Sequence, residues 1–251
     1  MVGYVVKIIK PLPFYPALKS IYMDYQPEDI LPYISTDNII FGLNHGKLHV
    51  LLIKRAIEPK SGMWGLPGGF ILKQEDLDMS ARRTLESMTG MKNVYMEQVY
   101  TFGAVNRFPD IRVVTVAYYA LLNNTIDNLQ AGPDATDIHW FPIAEVPELV
   151  FDHQHILDTT LAFLRAKVRT EPIGFELLPA KFTLTQLQVL YEAVLGTTFD
   201  TRNFRKKLLK MNLLLPLDET QTGVAHRAAR LYSFNKETYH KLKDKGFTFE
   251  L

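Results

Sequence analysis

The residues best able to do chemistry lie in the last third of the chain. In "DTRNFRKKLLKM" (residues 200–211), Phe204, Leu208 and Met211 are spaced by four and three, an apolar stripe on a helix. At about 100° per residue from Phe204, Arg202 falls near 160°, Lys206 near 200° and Lys210 near 240°. One face of this helix packs while the opposite face presents cations. Further on, His226, Arg227 and Arg230 sit in "NLLLPLDETQTGVAHRAARLYSFN" (residues 212–235), two strand-like runs around a polar loop. Such cations suit phosphate contact, which supplies most nonspecific affinity for a duplex and sets position on it. A basic helical face taken alone is as often only solvated, so the argument rests on the elements around it.

Those elements fall in a recognisable order. "FTLTQLQVLYEAVLG" (residues 182–196) has Thr183 and Gln186 in capping-box register. Leu184, Leu187, Leu190, Tyr191 and Val194 share one side of it, and Gly196 is its stop. Asp200 is placed to cap the next helix. Two helices joined by a short turn, then a basic hairpin, read as a winged helix-turn-helix. Upstream the pattern is mixed α/β. Residues 38–55 read as two strands around Asn44-His45-Gly46, and residues 113–122 as another strand. Residues 137–151 close the domain with a strand and a proline-marked turn. Ile156, Leu157, Leu161 and Leu164 then mark a helix over residues 153–169, the candidate domain boundary.

Composition sets outer limits. A chain of 251 residues is long for one domain, and its 47% hydrophobic content suffices for ordinary cores. It contains no cysteine, which excludes disulfides and thiolate metal sites and fits a reducing cytoplasm. Neither a secretory signal nor a membrane span is evident, so a cytoplasmic protein without membrane association is expected. The net charge of +1 divides unevenly: residues 181–251 hold 12 Lys and Arg against 7 Asp and Glu, whereas residues 1–180 hold 16 against 20. The two parts are suited to different partners. His153 and His155 have no second pair at ligand spacing and are read as helix-start residues rather than a metal site.

A second segment, "GGFILKQEDLDMSARRTLESMTGM" (residues 68–91), resembles the Nudix box. Gly69, Glu75, Arg83, Leu85, Gly90 and Met91 fall in its register, led in by "WGLPGG". In that family Glu75 and Arg83 correspond to a structural ion pair tying loop to helix. The pattern wants carboxylates at 84, 87 and 88, where this chain has Thr84, Ser87 and Met88. Those three positions share a helical face, which in active members holds divalent cations on a diphosphate. Glu86 is about 100° away and does not replace them. Acids recruited from elsewhere, such as Glu97, Asp110 or Glu145, would be needed for hydrolysis. Gly68 and Gly69 can serve a tight loop with positive φ, the close approach of a ligand, or both.

With the winged helix behind it, the chain over residues 35–235 resembles the Nudix-related transcriptional regulators of bacteria. The fold implied is α+β: a Nudix α/β/α sandwich followed by a winged helix-turn-helix. The organisation expected is an N-terminal extension (1–34), a Nudix-like sensing domain (35–152), a connecting helix and linker (153–172) and a DNA-binding domain (173–251). The resemblance implies a homodimer that binds palindromic operator DNA and responds to a small effector, ADP-ribose or a sugar such as arabinose. No cofactor and no resident metal are expected, and the Nudix domain is expected to bind without turnover. The missing acids favour a sugar or sugar phosphate over a nucleoside diphosphate. The alternatives are a Nudix hydrolase acting on a nucleoside diphosphate derivative such as ADP-ribose, and a non-catalytic interaction protein whose basic module binds a protein or RNA.

By carry-over, Arg202, Asn203, Arg205 and Lys206 would contact DNA from the recognition helix, and His226 and Arg227 from the wing. Arg202 and Asn203 are the base readers, since arginine pairs with guanine and asparagine with adenine. Asn203 could equally satisfy backbone donors at the helix start. Lys207 and Lys210 are left to phosphate or solvent. Phe102, Arg107, Asp110 and Arg112 fall where the family has a loop bordering the substrate cleft, and are the effector candidates. An arginine there could hold a phosphate or a sugar hydroxyl, or simply cap a neighbouring strand in a surface ion pair.

Overall fold

The computed structural model describes residues 30–109, 111–123, 129–132, 134–223 and 228–251. Asp110, His226 and Arg227 therefore lie outside the described residues. The chain runs through β1 (Ile30–Asn44), β2 (Lys47–Arg55), β3 (Trp64–Gly65), β4 (Gly68–Leu72), α1 (Leu77–Thr89), β5 (Tyr95–Phe102), β6 (Val114–Leu122) and β7 (Ala135–Pro142). It continues with α2 (His153–Thr170), α3 (Leu184–Leu195), α4 (Thr201–Lys210), β8 (Leu214–Thr220), β9 (Arg230–Phe234) and α5 (Lys236–Lys243). β1 starts at Ile30, inside the segment read as an extension, because its first residues already pair with β4.

The β1–β2 hairpin closes where the sequence placed it. His45 and Gly46 both have positive φ, 45° and 73°, the two-residue turn whose twist matches antiparallel strands. Seven strands form one sheet in the order β3-β2-β1-β6-β5, with β4 on β1 and β7 on β2. The central β1–β6 pair is parallel, and it is buried on both faces.

Side-chain alternation along these two strands builds the layers. Ile39, Phe41, Ala117, Tyr119 and Leu121 pack with Ile156, Leu157, Leu161 and Leu164 of α2. Their neighbours Ile40, Ala120 and Leu122 pack with Leu85 of α1, while Val116 and Tyr118 meet Ala81. A period of two thus gives a helix on either side of one sheet, the expected α/β/α sandwich. The α2 side of the core runs on without a break into Leu187, Leu190, Tyr191, Phe204 and Leu208 of the C-terminal module.

That module forms as its caps predict. Thr183 and Gln186 make both bonds of the capping box, and Gly196 ends α3 in the left-handed region. Asp200 accepts from the Asn203 N–H to start α4. Antiparallel β8 and β9 supply the hairpin. α2 joins the two units: Arg165 Nε donates to the Val194 carbonyl at the end of α3, 3.0 Å away. The chain end returns to α2 as well, with Leu251 N–H donating to the Arg169 carbonyl.

Candidate functional site

A cleft of about 190 Å³ opens at the β1, β2 and β4 side of the sandwich. Its walls are largely apolar, including Ile57, Phe70, Phe108, Ile111 and Phe151. Phe108 and Phe151 pack at 4.6 Å between centroids, and the Arg55 guanidinium lies 5.2 Å above the Phe151 ring. Phe151 holds φ at 50°, a left-handed conformation costly for an aromatic residue, and the kind of strain that collects at functional sites.

At the cleft floor a buried ion network meets the start of α2. Arg107 binds Asp152 through two bonds, Nε to Oδ2 at 2.9 Å and Nη2 to Oδ1 at 2.8 Å, and reaches Asp37 Oδ2 at 3.4 Å. Asp152 is the N-cap residue of α2, yet its side chain makes no capping bond, because Arg107 holds it. The next residue, His153, is buried, and its Nδ1 accepts from the Leu66 N–H at 2.9 Å. That bond leaves the proton on Nε2, and burial pushes the imidazole pKa below its usual value, so the ring stays neutral. His153 is a helix-start residue, as read from the sequence.

The Nudix-box residues divide into those that hold the scaffold and those that depart from the pattern of carboxylates. Arg83 binds Glu75 in a bidentate pair, with Nη2 to Oε2 at 2.9 Å, and also donates to the Phe70 carbonyl. This fixes the loop between β4 and α1. Gly90 ends α1 at φ 69°. Gly68 and Gly69, however, lack the positive φ considered for them. Gly68 is needed instead for close approach, since a Cβ there would stand 2.4 Å from Asp37 Oδ1 and 2.6 Å from the Thr36 carbonyl. A Cβ at Gly69 would meet nothing within 4 Å, and its backbone lines the cleft.

The three altered positions do not fit a divalent cation. Thr84 is buried and donates to the Ser80 carbonyl, Ser87 is exposed and donates to the Thr84 carbonyl, and Met88 is buried. Hard cations require charged or multiple free oxygens. Glu97 is engaged elsewhere, bound by Lys167, Tyr95 and Tyr119 between β5 and α2. Glu145 pairs with Lys47 at the surface. Among the described residues no group of three His, Asp or Glu is placed to hold a metal.

The effector candidates separate in the same way. Arg107 reaches the cleft, though as a buried structural cation rather than a surface one. Phe102 is not at the cleft: it is buried in the core, edge-on to His155 at 5.5 Å. Arg112 donates to the Gly103 and Ala104 carbonyls and ties down the turn after β5. Strand alternation turns Phe102 inward. Arg55, Asp134, Phe108 and Phe151 line the cleft and were missed; they come from four segments that carry no motif.

On the C-terminal module, Arg202, Asn203 and Lys206 are exposed together on α4, opposite buried Phe204 and Leu208. Asp200 caps the helix, so the Asn203 side chain is not needed for that purpose. Arg205, the fourth candidate on this helix, lies between that face and α3. It is half-buried and donates from Nη2 to Thr185 Oγ1 of α3 at 3.0 Å, bracing the two helices. Lys207 and Lys210 are exposed, and Arg230 donates to the Leu217 carbonyl across the hairpin.

Comparison with known proteins agrees with both halves. The sequence matches the NUDIX domain family over residues 35–160 and the NrtR DNA-binding winged helix domain over residues 174–234. It is 33% identical over 220 residues to the ADPR responsive transcriptional repressor NtrR of Acinetobacter baylyi, covering 86% of this chain and 87% of that one. Shewanella oneidensis NrtR complexed with a 27mer DNA superposes with a TM-score of 0.71 at 28% identity, over 86% of this chain and 97% of that one. The NUDIX domain of the same Shewanella protein complexed with ADP ribose gives 0.50 at 32% identity, over 58% of this chain and 98% of that one.

Proposed function

This chain belongs to the NrtR family, a Nudix domain joined to an NrtR winged helix, and from that membership we propose that it is an ADP-ribose-responsive transcriptional repressor. The Nudix cleft binds the effector without hydrolysing it, and α4 reads operator DNA through Arg202, Asn203 and Lys206. The relatives favour ADP-ribose over the sugar effector that loss of the acids suggested. A homodimer on a palindromic operator suits this reading, because two recognition helices must meet half-sites about one duplex turn apart.

One observation carries the coupling. Arg107 at the cleft floor grips Asp152 at the head of α2, and α2 bonds to α3 near its other end through Arg165. An effector phosphate near Arg107 competes with Asp152 for the guanidinium. Asp152 is then free to cap α2, and the helix carries the shift to the winged helix. An effector that prefers this second arrangement weakens operator binding by its affinity ratio for the two states.

Fluorescence anisotropy of the purified protein on its own upstream promoter duplex tests this, with a scrambled duplex alongside. ADP-ribose, L-arabinose and xylose are the ligands. Selective binding that is weakened by ADP-ribose alone is the expected result. Absence of any promoter preference, or a response only to a sugar, overturns the reading. Arg107→Ala should bind the promoter but lose at least tenfold of the ADP-ribose response. AMP release from ADP-ribose with magnesium would favour the hydrolase reading instead.

A further inference from the structure

Asp134 has no part in the coupling just described, yet it is the most unusual acid in the cleft. It lies just before β7, held against the end of β2 by the Ala56 N–H, which donates to its backbone carbonyl at 2.8 Å. Its side chain lines the same cavity as Arg55, Phe108 and Phe151. Oδ1 is shielded from solvent and has no hydrogen-bond partner among the described residues. A buried carboxylate oxygen without a donor is costly, and most such groups in folded proteins are satisfied. Burial pushes the Asp134 pKa up to about 6, with the nearby Arg55 charge pulling in the opposite direction. A ligand that brings a donor into the cleft removes the deficit.

Resting on the ADP-ribose reading above, we propose that Asp134 is a specificity-determining residue of the effector cleft, whose carboxylate accepts a hydrogen bond from a ribose hydroxyl. A phosphate is the wrong partner, because it brings only acceptors and negative charge. Ribose brings vicinal O–H donors. Beside it the Phe108–Phe151 pair offers an apolar wall for a flat ring, and the Arg55 cation counters the charge that a diphosphate brings in. A site built to accept from a hydroxyl rejects ligands lacking it, because the acceptor would stay buried and unpaired.

The test is isothermal titration calorimetry of the full chain with ADP-ribose and with ADP, for the wild type, Asp134→Ala and Asp134→Asn, at pH 7.5 and pH 5.5. Far-UV circular dichroism and thermal melts establish that each variant is folded. Asp134→Ala is expected to weaken ADP-ribose binding about tenfold or more. A loss for ADP-ribose alone places the donor on the terminal ribose, and a loss for both ligands places it on the adenosine ribose. Wild-type affinity should fall between pH 7.5 and pH 5.5 as the carboxylate is protonated, and Asp134→Asn should lack that fall. Arg55, Glu58, Asp37, Arg107, Asp152 and His153 also face the cavity or its floor, but all remain in Asp134→Asn, so the difference isolates one group. Wild-type affinity and pH dependence retained in both variants would overturn the assignment. Failure of the wild type to bind ADP-ribose at all would instead remove the effector reading on which it rests.

Discussion

Helices α1 and α4 begin alike and end up with opposite uses. In each an aspartate accepts from a backbone N–H three residues on, Asp76 from Met79 at 2.7 Å and Asp200 from Asn203 at 2.9 Å. Each then buries an apolar stripe. On α1 two of the three positions where the Nudix pattern wants carboxylates, Thr84 and Met88, are packed inward, and the third has become serine. On α4 Arg202, Asn203 and Lys206 face solvent together. A cap and a stripe are generic; a helix acquires chemistry from what its remaining face carries and whether that face is open. On α1 that face is closed by packing, and on α4 it is open to solvent.

The largest effect expected from breaking this contrast is on α1. Restoring an acid at the buried position, Met88→Glu, should cost more than about 3 kcal/mol by burying a carboxylate without a partner. Ser87→Glu at the exposed position should change stability by about 0.5 kcal/mol or less. Urea denaturation separates them, and equal costs would mean that the inner face of α1 is open to water.

On α4 the effect should appear in binding. Arg202→Ala is expected to weaken the specific operator by about 1–3 kcal/mol and to relax preference at one base position. Lys206→Ala should weaken specific and scrambled duplexes alike and lower the salt slope by about 1. Anisotropy at several salt concentrations reads both, and identical behaviour of the two variants would place Arg202 on phosphate.

The smallest effect sharpens the role of the cleft. The folded pKa of Asp134, about 6, is raised above the usual carboxylate value of 3.8, so the folded state binds more protons between these values. Stability from this group is therefore present below pH 3.8 and is lost as pH rises through about 6. Asp134→Asn should stabilise the protein at pH 7.5 by on the order of 1 kcal/mol, a figure discounted for its partial exposure. The gain should vanish near pH 4. A variant that is more stable but binds its effector less well is what a residue kept for binding produces.

Much of this protein was legible before folding was considered. The His45-Gly46 turn, the capping box at Thr183, the Asp200 cap and the Glu75–Arg83 pair are local: each depends on residues within about ten positions, which sequence spacing reports directly. The loss of carboxylates at 84, 87 and 88 was equally plain. Local order reported the apolar stripes of α2 and α4 but not the side to which each strand residue turns. It therefore put Phe102 at the cleft, where alternation buries it, and gave no sign that Arg205 would bond to α3. Nor could it assemble Arg55, Arg107, Asp134 and Asp152 from four separate segments into one cleft. The sequence by itself determined the elements, their caps and the family; only the tertiary structure decided which charges meet, because burial and charge pairing depend on distances that the chain closes across many residues.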